Sequence, residues 1–140
     1  MNVGISIDTS AVEKRFKNVN IDLAIFKALS KTSQQGINVI LDRTAKGKGI
    51  YAPFKRYSQK YAAFRAEKGR SINPDLNFSG KMLGSIKSAV KTSDKLANIY
   101  FSRKSEAKKA LGNNKTRPFF GFNEKEKLKL VKLFAKNFKL

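Results

Sequence analysis

Apolar side chains recur at helical spacing in two long stretches of the chain. The first stretch follows Asn20, which can cap a helix through its side chain, and runs to about Ala45. Its apolar positions share one helical face and are Ile21, Ala24, Ile25, Ala28, Leu29, Val39 and Ile40. Gly36 lies on that face, where it either weakens the helix or allows close backbone approach. We expect this long helix to be the main element of the core.

The second helical stretch lies near the C-terminal end. Asn123 followed by Glu126 is a capping-box pattern, which predicts that a helix begins here. One stripe on this helix is apolar and is expected to be buried; it consists of Leu128, Val131, Phe134, Ala135 and Phe138. A second stripe carries only lysine, at Lys125, Lys129, Lys132, Lys136 and Lys139. That stripe is either a solvated face or a surface that binds nucleic acid.

Shorter patterns complete the predicted topology. Alternating residues predict strands over 2–7, 86–92 and 95–102, and Ser93-Asp94 predicts a tight turn between the last two, hence an antiparallel hairpin. Short helices are expected over 10–16, 58–68 and 105–111 and just after Ser79-Gly80, with loops over 45–58, 69–78 and 112–122. The pattern predicts one α+β domain over residues 1–140, with a small, mostly antiparallel sheet packed against the two main helices.

The charge of the chain narrows its possible partners. Thirty Lys and Arg stand against ten Asp and Glu, which gives a net charge of +20. A field of this strength attracts nucleic acid, anionic lipid or an acidic protein surface. It also repels other copies of the same chain, so self-assembly would require neutralisation by an acidic neighbour or by packaged DNA.

The residues that catalysis most often uses are missing or scattered. The chain has no His and no Cys, which removes the commonest general base and the usual zinc ligands. Glu124 and Glu126 are two residues apart on a helix and therefore point in different directions. The segments around Gly47-Lys48-Gly49 and Gly80-Lys81 lack the spacing of phosphate-binding loops. We expect neither an enzyme nor a cofactor or metal site.

The sequence gives no sign of a membrane protein. The first residues lack the apolar core of a signal peptide, and no apolar run approaches the roughly 20 residues of a membrane span. We therefore expect a protein that is made in the cytoplasm of the producing cell and has no membrane partner.

Two further segments are candidates for binding. Residues 51–70 interleave basic and aromatic side chains, which suits either binding of single-stranded nucleic acid or inward packing of Tyr57, Tyr61 and Phe64. The helical spacing of Tyr61 and Phe64 favours inward packing. The run Arg117-Pro118-Phe119-Phe120 is a stiffened aromatic loop, and such a loop must bury at least one Phe within its own chain or against a neighbour. Because Arg and Phe are enriched at interfaces, we expect a subunit contact there.

Three segments, taken in order, resemble the tail-completion or virion-morphogenesis family of tailed bacteriophages. They are Tyr51-Ala52-Pro53-Phe54 with Ser58 and Tyr61, then Phe78-Ser79-Gly80-Lys81-Met82-Leu83-Gly84-Ser85-Ile86, and then Thr116-Arg117-Pro118-Phe119-Phe120-Gly121-Phe122-Asn123-Glu124. The resemblance covers the chain from about residue 20 onward. Many relatives carry a His or acidic residue with a Gly before the Arg-Pro-Phe sequence, whereas this chain has Gly112 and no His.

The resemblance implies a structural protein of the virion neck, which completes the tail and helps to join it to the capsid connector. Such proteins act as rings, commonly hexamers, without catalytic residues, and their partners are neighbouring neck and tail proteins. We expect the subunit or partner interface to include Tyr51, Phe54, Arg117, Pro118, Phe119 and Phe120. We expect the surface that faces an acidic ring or the DNA in the channel to include Lys46, Lys48, Lys125, Lys129, Lys132 and Lys136.

Two matters stay open at this point. The alternative function is a basic nucleic-acid-binding protein that uses its lysine-rich helix face, although an acidic neighbouring ring is favoured because an attractive channel would slow DNA exit. The ring size, and the choice between a completion and a terminator role, also stay open. If the chain is an assembly protein, we expect Phe119→Ala to damage assembly more than folding.

Overall fold

The computed structural model describes residues 1–8, 10 and 21–139 of the 140-residue chain. Within these residues the strands are β1 (Asn2–Ser6), β2 (Ile86–Lys91) and β3 (Leu96–Phe101). The helices are α1 (Ile21–Ala45), α2 (Gln59–Glu67), α3 (Lys81–Gly84), α4 (Lys104–Thr116) and α5 (Glu124–Asn137). The predicted α+β architecture, with its long helix and C-terminal helix, is confirmed. The predicted helix over 10–16, apart from Ser10, and the predicted Asn20 cap lie outside the described residues.

The three strands form one antiparallel sheet in the order β1-β3-β2. The central strand β3 pairs Ile99 with Val3 on one side and Phe101 with Ile86 on the other. The predicted tight turn between β2 and β3 is a 3-10 turn over Thr92–Asp94, followed by a residue in the left-handed region. Alternate residues of β3 are buried, so one face of the sheet is covered, and α1 packs against it.

Helix α1 buries the face that its apolar spacing predicts. Ile25, Leu29 and Ile40 are fully buried, and they join the sheet residues Ala97 and Ile99 in the core. Thr32 is buried on the same face because its hydroxyl donates to a backbone carbonyl one turn earlier.

Gly36 allows the close approach that its position suggested. A Cβ at Gly36 would lie 2.9 Å from Cζ of Phe122 and 3.1 Å from Cδ1 of Ile99. The missing side chain therefore makes room for an aromatic ring between α1 and the sheet.

The predicted buried face of α5 is wrong in its main positions. Leu128 and Val131 are 62% and 58% exposed, whereas Leu130 and Phe134 are buried. Of the predicted stripe, only Phe134 and, in part, Phe138 contact the core. Helix α5 thus has two apolar stripes, and the sequence pattern by itself does not say which one faces inward.

The first turn of α5 decides the rotation of that helix. The capping box between Asn123 and Glu126 is present as predicted, and Glu126 also pairs with Arg43 of α1. Residues four apart share a helix face, so fixing Glu126 against α1 turns Leu130 and Phe134 in the same direction. A long-range ion pair therefore selects the buried stripe.

Helix α4 is longer than predicted. The expected one or two turns over 105–111 continue to Thr116, into a stretch expected to be loop. Glycine and asparagine are weak helix formers, which is why the sequence predicted an end there. In the structure Nδ2 of Asn113 donates to the Lys109 carbonyl at 2.9 Å. Oδ1 of Asn114 accepts from the backbone N–H groups of Phe119 and Phe120, which ties the following loop to the last turn of α4.

Candidate partner-binding groove

The three segments that carry the resemblance meet around one groove. It encloses about 840 Å³ and is open to solvent along its length. The first segment contributes Ser58 and Tyr61, with Tyr57 beside them, the second contributes Phe78 and Met82, and the third contributes Arg117. We call this set of six residues and the space between them the motif groove. It brings together parts of the chain that are far apart in sequence.

Helix α2 forms one wall of the groove and begins as predicted. The Ser58 side chain accepts from the backbone N–H of Tyr61, a hydrogen bond that caps the helix. This cap fixes the direction in which the extended segment from Phe54 enters the helix. The tyrosines on either side of Ser58 are in edge-to-face contact, with ring centroids 4.9 Å apart.

Arg65 of α2 connects this wall to the loop that follows. It was not among the residues predicted to be functional. Its side chain is 1% exposed. Nε donates to the Ser71 carbonyl at 2.6 Å, and Nη2 donates to Oδ1 of Asp75 at 2.9 Å and to the Asn77 carbonyl at 3.1 Å. Two of the three acceptors are backbone carbonyls, so no pattern of charged residues could have revealed the site.

Aromatic rings surround the same guanidinium group. The Arg65 Cζ atom lies 4.9 Å from the ring centroid of Tyr57, 5.8 Å from that of Tyr61 and 5.9 Å from that of Phe78. A planar cation can stack on aromatic faces while its edge donates hydrogen bonds, which a lysine cannot do. Arg65 therefore fixes rings from two of the three segments around one buried charge.

Arg117 joins the third segment to the first. Nε donates to the Lys55 carbonyl at 2.6 Å, and Nη2 donates to the Arg56 carbonyl at 2.9 Å. The guanidinium also lies 4.8 Å from the ring centroid of Tyr57. The predicted interface residue Arg117 is thus committed to holding its own chain, and only its partly exposed edge is open to a partner.

The two phenylalanines of the third segment do not lie on the surface. Phe119 is fully buried and Phe120 is nearly so, and both contact the ring of Phe101 in β3. Phe54 is buried as well. The expectation that Phe119, Phe120 and Phe54 form a subunit contact is therefore corrected, because the loop buries these rings in its own core.

The exposed part of this region consists of the remaining predicted interface residues. Tyr51 is 80% exposed, and Pro118 is exposed beside it. The loops that carry them are joined by the Ile50 N–H, which donates to the Pro118 carbonyl at 2.9 Å. Nδ2 of Asn123 donates to the Ile50 carbonyl at 3.0 Å, which anchors both loops to the start of α5.

Exposed aromatic rings extend from the groove along α2. Tyr61 and Phe64 are stacked with centroids 6.2 Å apart, and Phe64 and Phe78 are stacked at 5.8 Å. All three rings are exposed, so the expected inward packing of Tyr61 and Phe64 is wrong. Lys68 and Arg70 lie over the faces of Phe64 and Phe78, at 5.9 and 5.4 Å from the ring centroids.

The charge around the groove is positive with one internal exception. Glu106 of α4 lines the groove, is buried, and accepts from Nζ of Lys109 at 3.1 Å. Lys55 and Arg56 are exposed on the opposite side. The groove therefore presents cations around an aromatic floor, an arrangement that suits an acidic or aromatic segment of a partner.

The predicted basic residues are all exposed but lie on separate elements. Lys46 and Lys48 lie in the loop after α1, and the other four lie on α5. Their side chains form no ion pair within the part of the chain that the structure describes.

The described residues also bear on metal binding and on membrane insertion. Among them, no three or more His, Cys, Asp or Glu side chains are placed to hold a metal ion. Across the same residues, no helix combines the length and the hydropathy that a membrane span requires.

The chain was also compared with known proteins. No protein-family model, curated protein or solved structure matches it. The resemblance therefore rests on the residues of the three segments alone.

Proposed function

We propose that this chain is a structural assembly protein of a tailed-phage neck, which completes the tail and helps to join it to the connector. The observation that carries the proposal is the convergence of the three resembling segments on the motif groove. The groove gives residues from all three segments one common surface. Their meeting supports a shared structural purpose for them.

The use made of charged residues in the groove also supports assembly over catalysis. Arg65 and Arg117 donate to backbone carbonyls, and Glu106 pairs with Lys109. Groups that hold loops in place are poor general acids or bases, because the transfer of a proton would break the contacts that position them. The groove is thus built to hold a shape that a partner can recognise.

In the proposed role the chain acts in a ring among neighbouring neck and tail proteins, and the resemblance implies a hexamer. The exposed loop edge at Tyr51 and Pro118 lies next to the groove and is the part of the third segment that a neighbour could reach. Packaged DNA that passes the channel would be a further partner for the exposed lysines. The proposed location is the virion.

Deleting the coding sequence from the genome that carries it tests the proposal. Electron microscopy of the resulting particles is expected to find filled heads and tails that are not joined, and a plasmid-borne copy should restore joining. Arg117→Ala in that copy should fail to restore joining, while Arg103→Ala, a change at an exposed arginine outside the groove, should succeed. Joined, infectious particles without the chain would overturn the proposal.

A second candidate function is single-stranded nucleic-acid binding, and the exposed rings of Tyr61, Phe64 and Phe78 favour it. Bases stack on aromatic faces beside cations. Here, however, Lys68 and Arg70 cover two of those faces. Light scattering of the purified protein with and without oligonucleotide separates the two functions, because binding that falls steeply with salt is expected only of the nucleic-acid function.

A further inference from the structure

Helix α5 carries an apolar stripe that its own chain leaves uncovered. The stripe consists of Leu128, Val131 and Ala135, all of which are exposed. At roughly 100° per residue, the centre of this stripe lies about 110° around the helix axis from the midpoint of the buried residues Leu130 and Phe134, so the stripe borders the buried face. Exposed leucine and valine in adjoining turns form a contiguous apolar strip, which is a feature of interaction surfaces.

The spacing of this stripe is that of a coiled-coil seam. Val131 and Ala135 follow Leu128 by three and seven residues, which are the offsets of successive a, d and a positions in a heptad. The seam from Leu128 to Ala135 is about 10 Å long at a rise of roughly 1.5 Å per residue. Valine and alanine are small enough to let another helix approach closely, so the shape of the strip fits a helix.

The border of the seam on its e side is basic. In the same heptad Lys125 and Lys132 occupy e positions and Lys127 occupies the first g position, whereas the next g position is the buried Phe134. Lys129 and Lys136 extend the basic border outward. The acidic residue on the exposed side of α5 is Glu124, which already accepts from Nζ of Lys127 at 3.1 Å.

These borders distinguish between the possible occupants. A second copy of α5 would place lysine against lysine between two chains that each carry a net charge of +20. A DNA backbone would match the lysines but leave Leu128 and Val131 facing phosphates. Residues at e and g positions select partners of opposite charge, so a helix with glutamates beside an apolar seam satisfies both the strip and its borders.

We infer that α5 docks an acidic amphipathic helix of a partner protein along the seam formed by Leu128, Val131 and Ala135. This partner helix would belong to a neighbouring neck or tail protein, a placement that rests on the proposed function. The binding itself is a property of this surface and can be measured without that role. A failed deletion test and a failed binding test would therefore be separate results.

The probe is a synthetic helical peptide of three heptads with leucine at a and d and glutamate at e and g. The control peptide has the same composition in scrambled order. Titration of each into the full-length ¹⁵N-labelled protein at about 0.15 M salt, where exposed charges are screened beyond roughly 8 Å, gives affinity and location together. The designed peptide should bind at least about ten-fold more tightly than the scrambled one and should shift the signals of α5.

Variants test the apolar seam. The double change Leu128→Ser and Val131→Ser should weaken binding by about ten-fold or more, because both side chains lose apolar area that the peptide buries. Ile72→Ser with Leu111→Ser removes two other exposed apolar side chains and should leave the affinity within about two-fold. Circular dichroism should find both double variants folded, since all four side chains are exposed.

Charge reversals test the borders. Lys125→Glu with Lys132→Glu should weaken binding by about ten-fold. Lys60→Glu with Lys108→Glu makes the same change in net charge at exposed positions of α2 and α4 and should have less than about a two-fold effect.

Several results would overturn the inference. The designed and scrambled peptides could bind equally well, or neither could bind. The affinity for the designed peptide could also be unchanged by Leu128→Ser with Val131→Ser. Concentration-dependent self-association that this double variant abolishes would assign the stripe to a second copy. Duplex DNA and vesicles of equal amounts of phosphatidylglycerol and phosphatidylcholine test two other ligands. If either bound tightly and lost its affinity on Leu128→Ser with Val131→Ser, that ligand would take the place of the acidic helix in the inference.

Discussion

Two arginines with buried guanidinium groups hold loops of this chain in position. Arg65 holds the loop after α2, and Arg43 donates to the Phe119 and Gly121 carbonyls while it pairs with Glu126. In both cases one planar cation satisfies several backbone acceptors that a loop would otherwise leave without partners. Hydrophobic periodicity does not identify such residues, because a charged residue in the sequence is expected to be solvated.

Replacing Arg65 by lysine tests this role at the level of one residue. Lysine keeps the charge but cannot reach three acceptors at once or stack a planar group on the rings. We expect Arg65→Lys to lower the free energy of unfolding by about 2 kcal/mol, the scale of losing hydrogen bonds to a charged donor. Urea denaturation followed by circular dichroism measures it. Arg70→Lys, at an exposed arginine, is the control and should change stability by less than about 0.5 kcal/mol.

Phe119 gives a second prediction at this scale, and it reverses what the sequence suggested. Because its ring is fully buried, Phe119→Ala should cost about 3–5 kcal/mol of folding free energy through lost burial and the cavity left behind. Tyr51→Ala should cost less than about 0.5 kcal/mol, since that ring is 80% exposed. Thermal unfolding of both variants measures the difference. A Phe119→Ala protein as stable as wild type would restore Phe119 to the list of surface contacts.

At the scale of elements, local signals predicted most of the fold. The strands, the hairpin turn, the long helix and the capping box of α5 all follow from patterns within a few residues of one another. The failures come from long-range contacts. The buried stripe of α5 depends on Arg43, and the length of α4 depends on hydrogen bonds that Oδ1 of Asn114 accepts from the next loop. The sequence predicted the three segments of the motif groove but not their contact, because that contact depends on Arg65 and Arg117.

Two helical glycines form a matched pair for testing element packing. Gly36→Ala gains about 1 kcal/mol of helix propensity but forces a methyl group against Phe122 and Ile99. Overpacking of a filled core costs about 1–3 kcal/mol, so we expect a net loss of about 1 kcal/mol. Gly112→Ala in α4 meets nothing within 4 Å and should raise stability by about 0.5–1 kcal/mol. Chemical denaturation of both variants should give opposite signs, and a stabilised Gly36→Ala would mean that the Phe122 ring moves at little cost.

At the scale of the whole molecule, charge opposes the folded state. The chain carries an excess of 20 positive charges, and few of its lysines have an acidic neighbour among the described residues. Folding brings these charges closer together than they are in the unfolded chain. The two ion pairs that hold α1 to α5 and α2 to its loop are partly buried, so salt screens them less than it screens the exposed lysines.

Raising the salt concentration should therefore stabilise this protein, the opposite of what surface ion pairs would give. Between about 0.01 and 0.15 M NaCl the Debye length falls from roughly 30 to 8 Å, which removes most of the repulsion between distant lysines. We expect the melting temperature to rise by several degrees, a change of about 1 kcal/mol for a domain of this size. The double change Lys129→Gln with Lys132→Gln should reduce the slope, because it removes two of the charges that salt screens. A melting temperature that falls with salt would mean that the ion pairs of Arg43 and Arg65 outweigh the repulsion between the lysines.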